Sequence, residues 1–353
     1  MELTVNTTRP YRIRIQRGCL NEVGAVAAGL FRPGAKAAIV SDSNVMPLYG
    51  DRVAASLEQA GFTTIRFVFP AGESAKRLST IKQMVGCFAQ NGITRTDFVV
   101  ALGGGVTGDM AGFAAASFLR GIPFVQIPTS LLAQIDSSVG GKTGVDLEEG
   151  KNLVGAFWQP SAVLIDPDTL ATLPPHFFAD GMAEAIKYGC IKSLPLFERF
   201  EREHAADFLE DLIYACVDIK RAVVENDERD TGERMLLNFG HTLGHALEKL
   251  HHYEGLSHGE AVGIGMVLIS QAGEQAGLTE PGTARRIAEV LRRYGLPVSD
   301  PAGLRDVADA ALIDKKSAGS NIRLVLLSRL GESFLYPLPH AELYDFIAGG
   351  NRS

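Results

Sequence analysis

Three histidines and one glutamate in the second half of the chain have the residue types and the spacing of a metal site. His241 and His245 are four residues apart, so on a helix they lie on one face. His258 supplies a third imidazole, and Glu184 is an acid in the mostly apolar segment 181–187, where an unpaired carboxylate is costly. A glutamate with two histidines forms a known catalytic zinc set that leaves one position open for substrate oxygens. The sequence predicts such a site and leaves open which histidine is not a ligand.

Other interpretations of these residues compete with a metal site. Zinc proteases share the four-residue histidine spacing, but their glutamate directly follows the first histidine, where this chain has Thr242. A metalloprotease is therefore not indicated. A salt bridge to Lys187 or Lys220 is the alternative for Glu184. Ordinary hydrogen-bonded core or surface positions are our interpretation of four further histidines, which are His204, His251, His252 and His340.

A glycine-rich stretch in the first half of the chain has the spacing of a phosphate cradle. An apolar run at residues 97–102 stops at three glycines, and a helix pattern begins near Gly108. Glycines 103, 105 and 108 meet the G-x-G-x-x-G spacing, which lets the backbone approach a pyrophosphate that faces the amides and positive dipole of a helix. A glycine turn that serves packing alone is the alternative, so this motif is a weak signal by itself.

Lysines downstream strengthen the prediction of an anion site. Lys142 and Lys151 lie among glycines and hydroxyls in the segments 137–144 and 150–152, and this mixture suits an anionic oxygen. The sequence before Lys142 lacks the upstream glycine of a Walker A motif and has Ser137 in that region, which argues against a P-loop ATPase. A solvated loop is the alternative for both lysines.

The acid that binds ribose in a standard Rossmann enzyme is displaced in this chain. It is expected about 20 residues beyond the glycines, but residues 120–134 contain no acid. Asp42 ends a predicted strand, and Glu73 with Lys76 follows the next one. Because nucleotides bind at the carboxyl ends of strands in open α/β folds, we expect the nucleotide to span several strand ends.

The elements that must position these residues change character near residue 173. Strands are predicted near residues 11–16, 37–41, 62–69, 97–102, 124–127 and 163–166, with helices at 21–30, 47–60 and 76–91. Such alternation predicts a parallel, doubly wound sheet. Helices then dominate, at 177–191, 196–203, 206–225, 243–250, 259–276, 282–294 and 340–347, with one β-rich run at 322–327. We expect an α/β Rossmann-like nucleotide-binding domain at 1–172 and a mostly α metal- and substrate-binding domain at 173–353.

Composition narrows the class of protein. The chain has 353 residues, 46% of them hydrophobic, which is enough for about two domains with apolar cores. It has neither an apolar run of about 18 residues nor a secretory signal pattern. The net charge of −7 argues against general nucleic-acid binding. The four cysteines form no C-x-x-C pair, so we expect a cytoplasmic protein without a disulfide framework.

Taken together, the motifs resemble those of the 3-dehydroquinate synthase family of sugar phosphate cyclases, and the resemblance covers nearly the whole chain. Its most specific segments are GGGVTGD at 103–109, PTSLLAQIDSSVGGKTGV at 128–145, GKNLVGAFWQP at 150–160, GMAEAIKYG at 181–189, LNFGHTLGHALE at 237–248 and HGEAV at 258–262. The resemblance implies a nucleotide-binding N-terminal domain, a metal-binding α domain, an active site between them and a homodimer. Two mild departures are Ala71, where many members have an acid, and Ser130, where a second threonine is common.

The resemblance also implies roles for individual residues. The metal ligands are Glu184, His241 and His258, which leaves His245 for proton transfer. NAD contacts fall on Asp42, Glu73, Lys76, Gly104, Gly105, Val106, Asp109, Thr129, Ser130, Lys142, Lys151, Thr169, Leu170 and Thr172. Substrate contacts fall on Arg120, Asp136, Lys142, Asn152, Lys187, Lys220, Arg234, Asn238, His245 and Lys316. Lys315 is an alternative to Lys316, and this choice stays open.

The reaction implied by the resemblance combines a redox cofactor with a metal. The family converts 3-deoxy-D-arabino-heptulosonate 7-phosphate to 3-dehydroquinate and phosphate, within the shikimate pathway to aromatic amino acids. NAD oxidises the substrate transiently, phosphate is eliminated, the ketone is reduced again and an aldol step closes the ring. The metal is zinc or cobalt. The alternatives are another sugar phosphate cyclase, such as 2-deoxy-scyllo-inosose synthase, a metal-dependent polyol dehydrogenase that releases NADH, and a non-catalytic nucleotide-binding module.

Overall fold

The computed structural model describes residues 1–252, 254–313 and 320–349. The predicted substrate contact at Lys316 and its alternative Lys315 lie outside these residues. The chain divides into two compact units, here called the first unit (Met1–Pro174 with Lys220–Arg229) and the second unit (Pro175–Ile219 with Asp230–Ser353). The sequence pattern, which changes near residue 173, contains no signal for the assignment of residues 220–229 to the first unit.

A seven-stranded sheet forms the centre of the first unit. Its strands and those of a separate hairpin are β1 (Glu2–Val5), β2 (Tyr11–Ile15), β3 (Lys36–Asp42), β4 (Thr63–Phe69), β5 (Phe98–Gly103), β6 (Phe124–Pro128), β7 (Lys142–Leu147), β8 (Gly150–Phe157) and β9 (Ala162–Ile165). The order across the sheet is β1-β2-β9-β6-β5-β3-β4. Neighbouring strands are parallel except at the β1–β2 edge, which confirms the predicted parallel α/β sheet.

Helices cover both faces of this sheet. They are α1 (Val23–Ala28), α2 (Met46–Gln59), α3 (Leu78–Gln90) and α4 (Gly105–Ser117). Successive strand residues point to opposite faces. Accordingly, Val100 of β5 packs in one core with Leu57 of α2, and Val99 packs in the other core with Phe88 of α3 and Met110 of α4. Burial on both faces explains why β5 is a continuous apolar run.

Residues 142–157 form the β7–β8 hairpin, where the sequence predicted no strand and a solvated loop was the alternative for the two lysines. Its strands are antiparallel and approach closely at their glycines. A Cβ atom on Gly155 would lie 2.0 Å from the carbonyl oxygen of Thr143, and one on Gly144 would lie 2.6 Å from that of Val154. The hairpin packs on α4, where a Cβ on Gly112 would lie 2.4 Å from Thr143 Cγ2. These glycines therefore permit close packing of strands instead of a loop.

The second unit is mostly helical, as predicted. Its elements are α5 (Pro175–Lys192), α6 (Leu194–Arg202), α7 (Leu209–Asn226), α8 (His241–Leu250), α9 (His258–Gln275), α10 (Thr283–Arg293), α11 (Leu304–Ile313), α12 (Leu343–Ile347) and a hairpin of β10 (Asn321–Arg329) with β11 (Glu332–Pro339). The last turns of α7 group with the first unit. The sequence did not predict α11 or β11, and the helix predicted at 340–347 is a 3₁₀ turn followed by the short α12. Within the described ranges, no helix has both the length and the apolar character to cross a membrane.

Glycines let α8 and α9 approach closely. Gly240 precedes α8 in the left-handed conformation (φ 79°). A Cβ atom on Gly265 of α9 would lie 2.1 Å from the carbonyl oxygen of Gly240, and one on Gly244 of α8 would lie 3.0 Å from that of Ala261. This contact between helix backbones sets the spacing of the side chains at the start of both helices.

We expect Gly265→Ala to destabilise the protein, because its Cβ would meet backbone atoms of Gly240 and force the two helices apart. Overpacking of this kind lowers the free energy of unfolding by about 1–3 kcal/mol, which urea denaturation followed by circular dichroism measures. Gly263→Ala on the same helix is the control, since its Cβ would meet the flexible end of Leu291 at 3.3 Å. Equal stability of the two variants would contradict the close approach.

Candidate functional site

The three predicted metal ligands lie together in the second unit. Glu184 is in the middle of α5, His241 is the first residue of α8 and His258 is the first residue of α9. Glu184 Oε1 lies 3.4 Å from Nε2 of His241 and 3.6 Å from Nε2 of His258. The Glu184 side chain is 1% exposed, and its Oε1 atom has no hydrogen-bond partner among the described residues.

These distances fit a divalent metal ion. Ligands about 2.1 Å from a tetrahedral zinc ion lie about 3.4 Å from one another, close to the two observed separations. A buried carboxylate oxygen without a hydrogen bond is otherwise costly. The carboxylate and imidazole donors are those of catalytic zinc sites. The geometry of Glu184, His241 and His258 thus supports the predicted set.

Charge at this cluster also favours a cation. Burial by itself raises the pKa of Glu184, but the neighbouring Lys187, His241 and His258 outweigh burial and hold that pKa well below its usual range. Burial lowers the pKa of His241 to about 3, so this imidazole is neutral, as a metal ligand must be. Burial opposes charge on His258 too, yet the neighbouring carboxylates of Glu184 and Glu248 raise its pKa to about 10. The buried carboxylates therefore stabilise positive charge between them.

Neighbouring groups orient the ligand side chains. Lys187 Nζ donates to Glu184 Oε2, the carboxylate oxygen that does not face the histidines. This contact agrees with the alternative of a salt bridge, and it leaves Oε1 directed at the two imidazoles. His241 Nδ1 lies 3.1 Å from the carbonyl oxygen of Phe239. In the tautomer that donates this hydrogen bond, His241 Nε2 carries the lone pair that a metal needs.

The start of α9, which carries His258, is anchored to α5. Asp180 lies one turn before Glu184, and its Oδ1 accepts hydrogen bonds from Ser257 Oγ and, at 3.1 Å, from the backbone amide of Gly259. Ser257 caps α9 in a capping box with Glu260. A Cβ atom on Gly259 would lie 2.5 Å from Asp180 Cα, so α9 begins in direct contact with α5. His258 is therefore placed by backbone contacts on both sides.

His245 and Glu248 extend the cluster along α8. The His245 ring lies 5.4 Å from the His241 ring and 5.9 Å from the His258 ring, with 56% of its side chain exposed. Glu248 is buried, with Oε1 3.6 Å from His258 Nδ1 and Oε2 3.9 Å from His245 Nε2. Sequence reasoning assigned Glu248 no role. Its position seven residues after His241, on the same helix face, is the signal that it lies near the metal ligands.

The remaining predicted residues of the second unit lie just before α8. Arg234 and Asn238 belong to a 3₁₀ turn at Glu233–Asn238, where Arg234 is buried and Asn238 is exposed. In the first unit, Lys220 donates to both Asp136 Oδ1 and, at 2.7 Å, the Asp136 carbonyl oxygen. These two predicted substrate residues therefore neutralise each other, and they hold residues 220–229 to the π-helical turn at Ala133–Ser137.

The glycine turn of the first unit has the form of a phosphate cradle. The helix α4 begins at Gly105, earlier than the predicted start near Gly108. A Cβ atom on Gly104 would lie 3.4 Å from Ser130 Oγ, and one on Gly105 would lie 3.1 Å from Ser137 Oγ. The turn is thus flanked by hydroxyls at a helix N-terminus, where amides and the dipole attract anions. The next residue of α4 is the predicted contact Val106.

Asp42 lies beside this turn, at the carboxyl end of β3. Its Oδ1 atom accepts hydrogen bonds from the amides of Asn44 (2.8 Å) and Val45 (3.0 Å). Its Oδ2 atom lies 3.5 Å from Thr107 Oγ1 in the first turn of α4. The acid is therefore held where the ends of β3 and β5 meet, which is the position that the sequence predicted for a ribose contact.

Three predicted residues surround a fourth, the buried Lys76. Lys76 is 4% exposed, and its Nζ lies 2.7 Å from Asp109 Oδ2, 2.6 Å from Asn152 Oδ1 and 3.7 Å from Glu73 Oε1. Burial raises the pKa of Asp109 although Lys76 opposes the change. Burial favours a lower pKa for Lys76, but the acids, Asp109 first, outweigh it and raise that pKa. Lys76 is therefore a charged link between the sheet edge and the hairpin that carries Asn152 and Lys151.

The last group of predicted nucleotide contacts follows β6 and β9. Thr129 comes directly after β6, and a 3₁₀ turn at Pro167–Thr172 carries the group Thr169, Leu170 and Thr172. Gln134, which sequence reasoning missed, is fully buried and connects these segments. Its Nε2 lies 3.3 Å from the Pro128 carbonyl oxygen, 3.1 Å from that of Asp166 and 3.0 Å from Thr169 Oγ1.

Two predicted substrate residues, Lys142 and Arg120, lie apart from the carboxyl edge of the sheet. Lys142 is at the open end of the β7–β8 hairpin, whereas Asn152 lies near its turn. The Asn152 amide donates to Asp146, which is four residues after Lys142 in β7. At about 3.4 Å per residue, Lys142 and Asp146 lie about 14 Å apart along β7. Arg120 lies before the amino end of β6, in a left-handed conformation (φ 70°), and lines a pocket of about 390 Å³ with Trp158.

Comparison with known proteins shows what this chain is similar to. The model described as 3-dehydroquinate synthase N-terminal matches residues 66–180, and the model described as 3-dehydroquinate synthase C-terminal matches residues 181–317. The 3-dehydroquinate synthase of Clostridium acetobutylicum is 46% identical over 352 residues, which is 98% of both chains. That of Streptococcus suis is 46% identical over 354 residues, which is 98% of this chain and 99% of the relative.

Solved structures agree with these matches. The 2-epi-5-epi-valiolone synthase of Streptomyces hygroscopicus, with NAD+ and Zn2+ bound, has a TM-score of 0.85 and 29% identity over 96% of both chains. A 2-deoxy-scyllo-inosose synthase complexed with carbaglucose-6-phosphate, NAD+ and Co2+ shares the fold, with a TM-score of 0.86 and 24% identity over 99% of this chain and 100% of that chain. The chain described here belongs to the 3-dehydroquinate synthase family.

Proposed function

We propose that this enzyme, a carbon–oxygen lyase, converts 3-deoxy-D-arabino-heptulosonate 7-phosphate to 3-dehydroquinate and phosphate with the residues described above. The observation that carries the proposal is the buried Glu184 carboxylate, whose oxygen without a hydrogen bond faces two histidines at metal-ligand separations. A family relationship over 98% of the chain supports the same reaction. A non-catalytic nucleotide-binding module would have no use for this donor set.

We assign Glu184, His241 and His258 to a divalent metal ion, zinc or cobalt. When bound, the metal supplies Lewis acidity to the hydroxyl groups of the substrate. Two similar structures support this assignment, since one is described with Zn2+ and the other with Co2+. Lys187 holds Glu184 so that Oε1 faces the histidines. His245, the exposed imidazole of the cluster, is our choice for the group that takes up and returns a proton.

We assign the carboxyl edge of the sheet in the first unit to NAD. When bound, NAD accepts a hydride from the substrate and later returns it. The glycine turn and the amides at the start of α4 would bind the pyrophosphate, and Asp42 would accept a hydrogen bond from a ribose hydroxyl. Lys76 keeps Asp109 and Glu73 in place. The proposed contacts of this first domain are Asp42, Glu73, Lys76, Gly104, Gly105, Val106, Asp109, Thr129, Ser130, Lys142, Lys151, Thr169, Leu170 and Thr172.

Substrate recognition needs cations for a phosphate and a carboxylate, because the proposed substrate carries both groups. The proposed contacts are Arg120, Asp136, Lys142, Asn152, Lys187, Lys220, Arg234, Asn238, His245 and Lys316. Asp136 holds the ammonium group of Lys220, so this cation is oriented before the substrate arrives. We also propose that the enzyme is a cytoplasmic homodimer, as the family resemblance implies. Arg120 lies at the opposite end of β6 from the nucleotide edge.

We expect His258→Ala to lose its bound zinc and its activity while it remains folded, because one of three ligand side chains is removed. Metal analysis of the purified variant and its circular dichroism spectrum measure the two properties. His204→Ala, which removes an exposed imidazole outside the cluster, is the control and should keep both zinc and activity. Full zinc occupancy in His258→Ala would show that the ligand assignment is wrong.

Cofactor use separates the synthase from a polyol dehydrogenase. A synthase returns the hydride within each cycle, so substoichiometric NAD should support many turnovers with one phosphate released per heptulosonate phosphate consumed. Absorbance of NADH and a phosphate assay follow the two quantities in the same reaction. NADH that accumulates with product, or oxidation of glycerol-like polyols with no turnover of the heptulosonate phosphate, would favour the dehydrogenase. Phosphate release from a hexose 6-phosphate instead would favour another cyclase.

A further inference from the structure

Glu248 is a buried acid that the proposed reaction does not use. It is 3% exposed and lies near the end of α8, while the metal ligand His258 begins α9. Its two carboxylate oxygens face two different imidazoles, since Oε1 lies 3.6 Å from His258 Nδ1 and Oε2 lies 3.9 Å from His245 Nε2. A buried carboxylate is costly unless it is compensated, so its place beside these rings needs a reason.

The geometry of His258 supplies that reason. Its Nε2 atom faces Glu184, and its Nδ1 atom faces Glu248. If Nε2 binds a metal, the neutral ring carries its proton on Nδ1, and that N–H points toward the Glu248 carboxylate. The observed 3.6 Å is longer than a hydrogen bond, and a small rotation of either side chain would close it. Histidine ligands of metal ions commonly donate their second N–H to a carboxylate, which fixes the ring and raises its basicity.

We propose that Glu248 is a positioning residue that holds His258 in the orientation for metal binding and, through its other oxygen, holds the His245 ring beside the metal site. The inference rests on the proposed metal site and goes beyond it, because Glu248 is not a ligand in this account. Glu248 lies three residues after His245 on α8, so the helix itself keeps this pair on one face.

One competing interpretation makes Glu248 a ligand. His245, Glu248 and His258 also have ligand atoms within 4.8 Å of one another, as do Glu184, His241 and His258. Three observations favour Glu184, His241 and His258 as the ligands. Glu184 Oε1 has no hydrogen bond among the described residues, and it lies closer to its histidines, at 3.4 and 3.6 Å. His245, in contrast, is the most exposed of the three imidazoles.

Zinc affinity tests the proposal. The dissociation constant for zinc is measured by chelator competition on the full-length enzyme and on Glu248→Gln, Glu248→Asp and Glu184→Ala. Loss of a carboxylate that orients a ligand weakens metal binding about 10- to 100-fold, so we expect that loss for Glu248→Gln and for Glu248→Asp, whose side chain is too short to reach both rings. Glu184→Ala should lose specific zinc binding. Glu274→Gln is the control, because Glu274 accepts a hydrogen bond from the Ala284 amide away from the cluster.

The outcomes separate a positioning role from a structural one. Under the proposal, thermal unfolding of the metal-free Glu248→Gln protein matches that of the metal-free wild type, while its stabilisation by added zinc is reduced. Unchanged zinc affinity in Glu248→Gln would overturn the proposal. So would a Glu184→Ala variant that keeps zinc while Glu248→Gln loses it, since Glu248 would then be the ligand. If the wild type and His258→Ala bind zinc equally, the proposed metal site itself is wrong. That result is distinct from a failure of the Glu248 proposal alone.

Discussion

The buried carboxylate of Glu184 is the constraint on which the second unit depends. An ionised acid inside a helical core is tolerated only with compensating charge or a metal ion, and here the compensation comes from three helices. Lys187 lies on the same helix, and the two histidines stand at the first positions of α8 and α9. The close contact of α8 with α9 at their glycines, and of α9 with α5 at Asp180 and Gly259, places those histidines within 3.6 Å of the acid.

In the first unit, the main constraint is that backbone amides must be exposed at the end of a buried sheet. Burial of β5 on both faces fixes the strand, and the glycines that follow let α4 start at once with its first amides open to an anion. Lys76 then connects this edge to the hairpin through Asp109 and Asn152. Proposed cofactor and substrate contacts are thus linked by one buried ammonium group, so a change at either should affect the other.

Much of this arrangement can be predicted from the sequence because it depends on local periodicity. The strand, turn and helix at residues 97–117 and the shared helix face of His241 and His245 are of this kind. The β7–β8 hairpin was missed because glycine usually signals a turn, whereas Gly144 and Gly155 serve the close approach of two strands. Helix periodicity places Glu248 on the face of α8 that carries His241, but its proposed role depends on its contact with His258 of α9, which periodicity does not encode.

Long-range contacts account for the other differences between the sequence-based prediction and the structure. Residues 220–229 group with the first unit through pairs such as Lys220 with Asp136, which are 84 positions apart. Gln134 connects the ends of β6 and β9 in the same way, and a lone buried glutamine has no sequence signature. The contacts of Lys220 and of Gln134 can be found only from the folded topology, because neither residue belongs to a recognisable sequence pattern.

The most direct measurement is a crystal structure of the zinc-loaded enzyme with the metal located by anomalous scattering. Our prediction is one zinc ion in the second unit, about 2.0–2.2 Å from Glu184 Oε1, His241 Nε2 and His258 Nε2, with Glu248 against His258 Nδ1 and outside the coordination sphere. A zinc ion bound by His245 and Glu248, or no zinc at Glu184, would contradict it.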